Sequence, residues 1–306
     1  MTSVDAGSAV QASLADLIAL RAQVRRGSTR QSHAGAGLAG GHKAGPASRG
    51  MEFFESRPYQ AGDDVRSIDW RQSARRGMPY TKLFQEEREH PVQVFVDQGR
   101  SMRFGSRTVF KSVLAAQAAA LLAWQAVADG DRIGGSVWNG RVLREAQPRA
   151  RQHGALGLLH HLAEAGATLP EPAALAGALT AFRRSLRPGG IAFVLSDFAG
   201  LKKDRDTSMA AALASLSQRN DVVLVHVYDA LESEAPPPGI YPVTDGERTA
   251  TLDLRDDAAR QAYVAPFAGR RAGLEMLARH SRVRLLHLAT HDNPSVVQAC
   301  LRNRLG

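Results

Sequence analysis

The chain has 306 residues, of which 44% are hydrophobic and 23% are charged, an ordinary composition for a soluble globular protein with a packed core. Its single cysteine, Cys300, excludes an internal disulfide framework and any zinc site built from cysteines. The net charge of +9 suggests a nucleic-acid partner, but residues 43–90 hold nine Lys or Arg against eight Asp or Glu, and aromatic residues make up only 6%. Because the sequence lacks both a basic stripe and a stacking platform, nucleic-acid binding is the least favoured class of function.

The first 50 residues are predicted to form a helix followed by a linker. Residues 11–26 repeat apolar side chains near one helix face. Residues 27–50 are rich in Gly and Ser and hold few large apolar groups, so they are expected to remain flexible.

The most apolar long stretch, residues 113–128, is interrupted by Gln117 and Gln125 and is short for a bilayer span. We predict a buried helix there and no membrane span. The N-terminus also lacks the basic region and continuous apolar core of a secretory signal, so the protein is expected to be cytoplasmic.

From residue 92 onward, apolar strands alternate with helices. Strands are predicted over residues 92–97, 131–138, 190–196, 221–228 and 282–288, with a hairpin over 240–254. Helices are predicted near residues 107–128, 150–165, 171–186, 207–219, 256–280 and 294–304. Near-continuous apolar runs such as IAFVLS are typical of strands covered on both faces. The predicted fold class is therefore α/β, with a doubly wound, mostly parallel sheet and helices on both faces.

Three of the predicted strands end at an acid: Asp97, Asp197 and Asp229. In an open α/β sheet, ligands bind outside the carboxyl ends of the strands, and Asp97 and Asp197 are expected to converge there. Two interpretations remain open on these residues alone. Each acid either caps the turn or helix that follows its strand, or belongs to a site for an ion or an anionic partner group.

A long motif resembles a known bacterial family. The segments EFFESRPYQAGDDVRSIDWRQSAR (52–75), YTKLFQEER (80–88) and VFVDQGRSMRFG (94–105) are similar to the family called domain of unknown function 58, and the resemblance extends over residues 40–230. It implies a von Willebrand factor A-like domain. It also implies a MoxR-type AAA+ ATPase as partner, in chaperone-like assembly or maturation of a client protein. Many members carry N-terminal membrane helices, and this chain resembles the soluble short form.

The resemblance suggests three parts of the chain. Residues 1–40 hold the N-terminal helix and the flexible linker, residues 41–90 form a family-specific extended segment, and residues 91–306 form the A-like domain. Because the resemblance begins near residue 40, residues 1–40 are expected to be dispensable for the fold.

A-type domains carry a metal-ion-dependent adhesion site, and the resemblance implies one here. Its first motif is D-x-S-x-S after the first strand, where Asp97 and Ser101 match the outer positions and Gly99 replaces the middle serine. Thr168 resembles the threonine of a later loop, and Asp197 resembles the aspartate after the fourth strand. The implied ion is Mg²⁺ or Mn²⁺, bound weakly because Gly99 offers no hydroxyl. The alternative is a degenerate site retained as a hydrogen-bonded turn.

The segment GDDVRSIDW and its surroundings interleave acids with arginines, which predicts mutual ion pairs rather than a catalytic carboxylate cluster. Trp70 is predicted to be a packing anchor. The other interpretation is a surface bound by the partner ATPase, because Trp and Arg are favoured binding anchors. The residues predicted for that surface are Arg57, Tyr59, Asp63, Asp64, Arg66, Asp69, Trp70 and Arg75.

These features favour a non-enzymatic adaptor over an enzyme. The chain contains no H-E-x-x-H, G-x-S-x-G or G-x-x-x-x-G-K-[ST] motif. His287 and His291 stand on either side of a predicted strand end and are expected to be structural. The competing class is a metal-assisted hydrolase that uses Asp97, Asp197 and a water molecule, although no motif supplies a general base.

Overall fold

The computed structural model describes residues 9–24, 51–86, 91–167, 175–201, 207–244, 249–280 and 283–302. Residues 51–86 form one compact unit, and the other described residues form a second, larger unit. The linker predicted over residues 27–50 lies outside the described residues.

Strands and helices alternate along most of the chain. The strands are β1 (Met51–Pro58), β2 (Tyr80–Glu86), β3 (Val92–Asp97), β4 (Ile133–Trp138), β5 (Leu143–Arg149), β6 (Ile191–Ser196), β7 (Asp221–Tyr228), β8 (Ile240–Thr244), β9 (Thr249–Asp253) and β10 (Val283–Ala289). The α-helices are α1 (Leu14–Ala19), α2 (Trp70–Arg76), α3 (Lys111–Ala128), α4 (Arg151–Ala167), α5 (Leu175–Ser185), α6 (Thr207–Leu216), α7 (Ala230–Ser233), α8 (Asp257–His280) and α9 (Gln298–Arg302).

The larger unit is built on a six-stranded sheet in the order β10-β7-β6-β3-β4-β5. All neighbouring strands are parallel except β4 and β5, which pair antiparallel. The predicted doubly wound, mostly parallel α/β sheet is confirmed. The predicted hairpin is also present, because β8 and β9 pair antiparallel in a separate two-stranded sheet.

The edge strand β5 has no counterpart among the predicted strands. Its sequence, LREAQPR, is mostly polar, and several of its side chains are exposed. An edge strand pairs on one side only and need not carry the continuous apolar run of a central strand. The apolar pattern that reveals the buried strands is therefore missing here.

The core lies on both faces of the sheet. Every residue of β3 is buried, and its side chains alternate between the two faces. Val94 and Val96 belong to the apolar cluster that includes α3 and α4. Phe95 belongs to the opposite cluster, where its ring centroid lies 5.4 Å from that of Phe182 in α5. This two-sided burial explains why the central strands read as near-continuous apolar runs. Asp97 lies at the sheet's carboxyl edge because it is the last residue of β3.

Helix α3 is the central helix of the first cluster. By length and composition it is the one helix among the described residues apolar enough to cross a membrane, and 83% of it is buried inside the protein. Its alanines allow close packing against the sheet and α4. The buried helix predicted over residues 113–128 is confirmed.

Helix α1 is part of this core. Ser13 caps it and forms a reciprocal capping box with Asp16. Leu17 is fully buried in the same cluster as α3, and the Trp124 Nε1 group donates a hydrogen bond to the Leu17 carbonyl at 3.0 Å. The expectation that residues 1–40 are dispensable does not agree with this packing, because the helix contributes an apolar side chain and a backbone acceptor to the core.

In the smaller unit, β1 and β2 pair antiparallel. Helix α2 lies between them in the chain. The Asp69 carboxylate accepts a hydrogen bond from the Gln72 amide at its N-terminus, and Gly77 ends it in the left-handed conformation, with φ of 70°. These local signals give a strand–helix–strand unit where the sequence predicts only an extended segment.

Candidate functional site at the strand ends

Asp97 ends β3 and is held in place by two short hydrogen bonds. Its Oδ1 atom accepts from the Gly99 amide at 2.8 Å, which closes the turn after the strand. Its Oδ2 atom accepts from the Ser196 hydroxyl at 2.7 Å, which links it to the end of the neighbouring strand β6. The residue is only 4% exposed. Burial, reinforced by repulsion from Asp197, raises the pKa of Asp97 to about 7.

Asp197 lies just beyond β6 and contacts three donors. Its Oδ1 atom accepts from the Ser101 hydroxyl at 3.1 Å and from the Ala199 amide at 3.0 Å. Its Oδ2 atom accepts from the Lys111 ammonium at 2.8 Å. The structure therefore brings Ser101 and Asp197 together, as the resemblance implies, with Asp97 on the strand beside them. Thr168, the fourth implied ligand, lies outside the described residues.

Lys111 is the member of this site that the sequence did not reveal. It is the first residue of α3, and its side chain is 2% exposed. Besides Asp197, its ammonium donates to the Glu232 Oε1 atom at 3.0 Å, and it lies 5.8 Å from the Phe104 ring centroid. A signal exists in hindsight: a single charge at the start of an otherwise apolar, buried helix must find an acidic partner.

The buried ion pair controls the protonation of Asp197. Burial by itself would raise the pKa of the Asp197 carboxyl, but the charge and hydrogen bond of Lys111 outweigh it and lower that pKa. Asp97 and Asp197 thus differ in their electrostatic surroundings although both are buried. Asp97 has serine and backbone donors and is the harder of the two to ionise, whereas Asp197 faces a full positive charge.

The turn that carries Asp197 is strained. Phe198 has φ of 49°, a left-handed conformation that is unusual for a bulky residue. The Ser196 hydroxyl accepts from the Phe198 amide at 3.0 Å, so one hydroxyl bridges Asp97 and this turn. The fully buried Phe198 side chain packs into the core and helps to hold the conformation in place.

Asp229, the third acid at a strand end, is a structural cap. Its carboxylate accepts from both the amide and the hydroxyl of Ser106, from the Thr290 hydroxyl, and from the Leu231 amide at the start of α7. Burial would raise the pKa of this carboxyl, but the hydrogen bonds, led by that from Ser106, lower it. Asp229 therefore joins the loop after β3 to the ends of β7 and β10, in agreement with the capping interpretation.

The described side chains do not fit a divalent ion. Mg²⁺ requires several oxygen ligands in an octahedron. Both oxygens of Asp97 already accept hydrogen bonds, and Asp197 is paired with Lys111. Gly99 has no side-chain oxygen, and a Cβ atom added to it would lie 3.0 Å from the Asp97 Oδ1 atom. Within the part of the chain that the structure describes, no group of three His, Cys, Asp or Glu side chains is arranged to hold a metal.

Two histidines from neighbouring strands meet near this site. His226 in β7 and His287 in β10 are in register, and their Nδ1 atoms lie 3.1 Å apart. One nitrogen must donate and the other accept, so the two imidazoles cannot both be protonated in this contact. The pKa of His226 is lowered to about 3, mainly because the residue is buried. Charge repulsion, first from His287 and then from Arg270, lowers it further. His287 has a packing role here, as expected, and its partner His226 was not predicted.

The acids of the GDD–IDW segment serve mainly its own structure. Arg57 pairs with Asp63, with 2.7 Å between Nη2 and Oδ1. The pKa of Asp63 is lowered mainly by the hydrogen bond from the Gln60 backbone amide, and next by the hydrogen bond from the Arg57 side chain. Asp64 accepts from the Arg66 amide, and Asp69 caps α2. The prediction of ion pairing therefore holds for Arg57 and Asp63, while the other two acids act as backbone caps.

Trp70 is exposed, contrary to its predicted role as a packing anchor. It is the first residue of α2 and is 68% exposed. Two other large apolar side chains of the same unit, Val65 and Met78, are more than half exposed. The described residues do not enclose this indole, so its large apolar area remains available to solvent.

The comparisons with known proteins decide the family. The model of the family described as "Protein of unknown function DUF58" matches residues 55–273, which is more than half of the chain. This chain belongs to the DUF58 family. Both the GDD–IDW segment and the strand-end site lie inside the matched range.

Mycobacterial relatives of this DUF58 protein are similar to it over most of their length. Uncharacterized protein Rv1480 of Mycobacterium tuberculosis and Uncharacterized protein Mb1516 of Mycobacterium bovis are each 33% identical to this chain over 253 residues. The similar region covers 79% of this chain and 75% of each relative.

Solved structures similar to this DUF58 protein are more distant. BatB from Bacteroides thetaiotaomicron is 14% identical, with a TM-score of 0.38, over 70% of this chain and 96% of that one. An aerotolerance-related membrane protein from Bacteroides fragilis is 16% identical, with a TM-score of 0.39, over the same shares. A von Willebrand factor type A protein from Catenulispora acidiphila is 12% identical, with a TM-score of 0.35, over 73% of this chain and 42% of that one.

Proposed function

We propose that this DUF58 protein is a non-enzymatic interaction protein, an adaptor for a MoxR-type AAA+ ATPase in chaperone-like assembly or maturation of a client protein. The observation that carries the proposal is the exposure of Trp70 in the middle of the family motif, where 68% of the residue faces solvent. Exposed tryptophans beside arginines are frequent anchors of protein interfaces.

The charges around Trp70 indicate the chemistry of the partner. Arg66, Arg71 and Arg75 are exposed in the same unit. The neighbouring acids accept hydrogen bonds from Arg57 or from backbone amides, and the fully exposed charges of residues 62–76 are all basic. An acidic patch with an apolar centre complements such a surface.

The strand-end site supports a non-enzymatic role. A hydrolase built on Asp97 and Asp197 would need these carboxylates to hold a metal or to activate a water molecule. Instead, their oxygens accept hydrogen bonds from Ser196, Ser101, Lys111 and backbone amides. We further propose that the protein acts in the cytoplasm and that partner binding proceeds without a divalent ion.

The proposal is tested with the purified full chain and a purified MoxR-type AAA+ ATPase. Isothermal titration calorimetry should show saturable binding of the wild type to the ATPase. Trp70→Ala should raise the dissociation constant about tenfold or more, as expected for an interface anchor. The matched control is Ile240→Ala, which removes a 53% exposed apolar side chain from β8. This control should bind like the wild type.

Three results would count against the proposal. These are no binding by the wild type, equal loss in both variants, and affinity that disappears in EDTA. A duplex DNA of mixed sequence serves as the further comparison, because the alternative of nucleic-acid binding predicts retention that falls steeply with salt.

A further inference from the structure

We infer that the Lys111 ammonium is the resident cation of the strand-end site, in the position that the family resemblance assigns to a divalent ion. The wild-type protein then neither binds nor requires Mg²⁺ or Mn²⁺ there. This inference concerns the internal site alone and does not depend on the proposed partner.

The position of Lys111 is fixed by the elements that meet at the sheet's carboxyl edge. The residue begins α3, and its backbone amide donates to the Phe104 carbonyl at 2.8 Å, which anchors it to the loop after β3. Its side chain then reaches Asp197 at the end of β6 and Glu232 in α7. One ammonium therefore links three segments that follow different strands, which is the structural task of a metal ion in such a site.

The charges of the site are compensated without a metal. Lys111 and Arg270 face Asp197 and Glu232, and Arg270 lies 3.3 Å from the same Glu232 oxygen that Lys111 contacts. All four side chains are less than one fifth exposed. A divalent ion at Asp197 would compete with Lys111 for the carboxylate and would add charge where these two cations already balance these two carboxylates. The ammonium therefore excludes the ion electrostatically as well as by occupying its ligand.

Removing the ammonium should convert the site. Without Lys111, Asp197 loses the cation that balances it in a buried position, which is strongly destabilising. The carboxylate and the Ser101 hydroxyl, 3.1 Å apart, are then left as oxygen ligands without a cation. We expect the Lys111→Met protein to be stabilised by Mg²⁺ or Mn²⁺, because an ion that binds only the folded state raises its apparent stability.

The experiment measures thermal unfolding of the full chain in EDTA and in millimolar Mg²⁺ or Mn²⁺. The wild-type midpoint should be the same in all three conditions. Lys111→Met should unfold on the order of ten degrees lower in EDTA and recover part of that loss with metal. Lys82→Met, the same substitution at a partly exposed position in β2, is the matched control and should show neither effect.

Direct binding of Mn²⁺ to the wild type, followed by electron paramagnetic resonance, keeps the inference falsifiable even if Lys111→Met does not fold. Saturable binding that Asp197→Asn abolishes would overturn it. The double variant Lys111→Met with Asp197→Asn removes both charges, and it should regain stability relative to Lys111→Met and show no metal response. A Lys111→Met protein as stable as the wild type in EDTA would also contradict a cationic role.

Discussion

The Trp124 indole donates a hydrogen bond to the Leu17 carbonyl at 3.0 Å and so joins the N-terminal helix to the central helix of the core. Leu17 itself is fully buried, whereas the adjacent Ile18 is 39% exposed. Two neighbouring apolar residues of one short helix thus differ clearly in burial. Comparing substitutions at the two positions therefore distinguishes the effect of packing in the core from the effect of removing any apolar side chain.

Leu17→Ala should therefore lower the free energy of unfolding by about 2–5 kcal/mol, the usual cost of truncating a buried leucine. Ile18→Ala should cost clearly less than Leu17→Ala, because 39% of that residue is already exposed to solvent. Denaturant unfolding of both variants provides the measurement. Equal, small effects would show that the N-terminal helix does not contribute to the stability of the larger unit.

A serine at position 99 should be tolerated but should not create a metal site. Gly99 has φ of −66°, so no left-handed conformation requires glycine there. The new Cβ would lie 3.0 Å from the Asp97 Oδ1 atom, a close contact that we expect to cost about 1 kcal/mol. Because Lys111 remains in place, calorimetric titration of Gly99→Ser with Mg²⁺ should give no heat of binding. A measurable affinity would mean that the missing hydroxyl, and not the lysine, keeps the ion out.

The histidine pair should make the protein less stable in acid. The pKa of His226 is lowered from 6.5 to about 3, so between these values the unfolded state binds a proton that the folded state does not. Stability from this residue is therefore present above pH 6.5 and is lost as the pH falls toward 3. Over that range the loss is on the order of a few kcal/mol. His226→Phe, which keeps a ring beside Phe267, should flatten the dependence of unfolding free energy on pH.

Asp97 should produce a slope of the opposite sign. Its pKa is raised from 3.8 to about 7, so between these values the folded state holds a proton that the unfolded state has released. Stability from Asp97 therefore falls as the pH rises toward 7. Asp97→Asn should remove this fall. Parallel curves for the wild type and both variants would contradict the two assignments together.

The cap of the small unit gives a more local prediction. Asp69→Ala removes the acceptor for the Gln72 amide and should cost about 1 kcal/mol. Asp69→Asn retains a side-chain oxygen and should behave like the wild type, since Asn is an equally good cap. Chemical denaturation distinguishes the two. If both substitutions lowered stability equally, the charge of Asp69 would matter more than its hydrogen bond.

The buried strands and the central helix could be predicted because their signal is local. Near-continuous apolar runs such as IAFVLS (residues 191–196) are typical of strands covered on both faces, and their alternation with helices indicates a parallel sheet with helices outside it. The acids that follow the strands were also visible, because a parallel sheet brings the carboxyl ends of its strands to one edge.

The side chains around those acids could not be predicted, because their contacts join distant parts of the chain. Lys111 and Glu232 are 121 residues apart, and His226 and His287 are 61 apart. Neither pair forms a recognisable spacing, since their contacts are set by the packing of α3 and α7 and by strand register. Motif matching therefore identified Asp97, Ser101 and Asp197 but missed Lys111, whose ammonium balances the charge of Asp197.

The polar edge strand β5 also limits how this protein can associate. Its free side would present backbone groups to any additional strand, and sheets are commonly extended or aggregate through such edges. Arg144, Glu145 and Arg149 are exposed on this strand, and charged side chains on an edge strand disfavour pairing with another strand. Strand addition and fibrillar stacking are thus disfavoured at this edge, so association through backbone pairing would have to use the opposite edge strand, β10, or a two-stranded sheet.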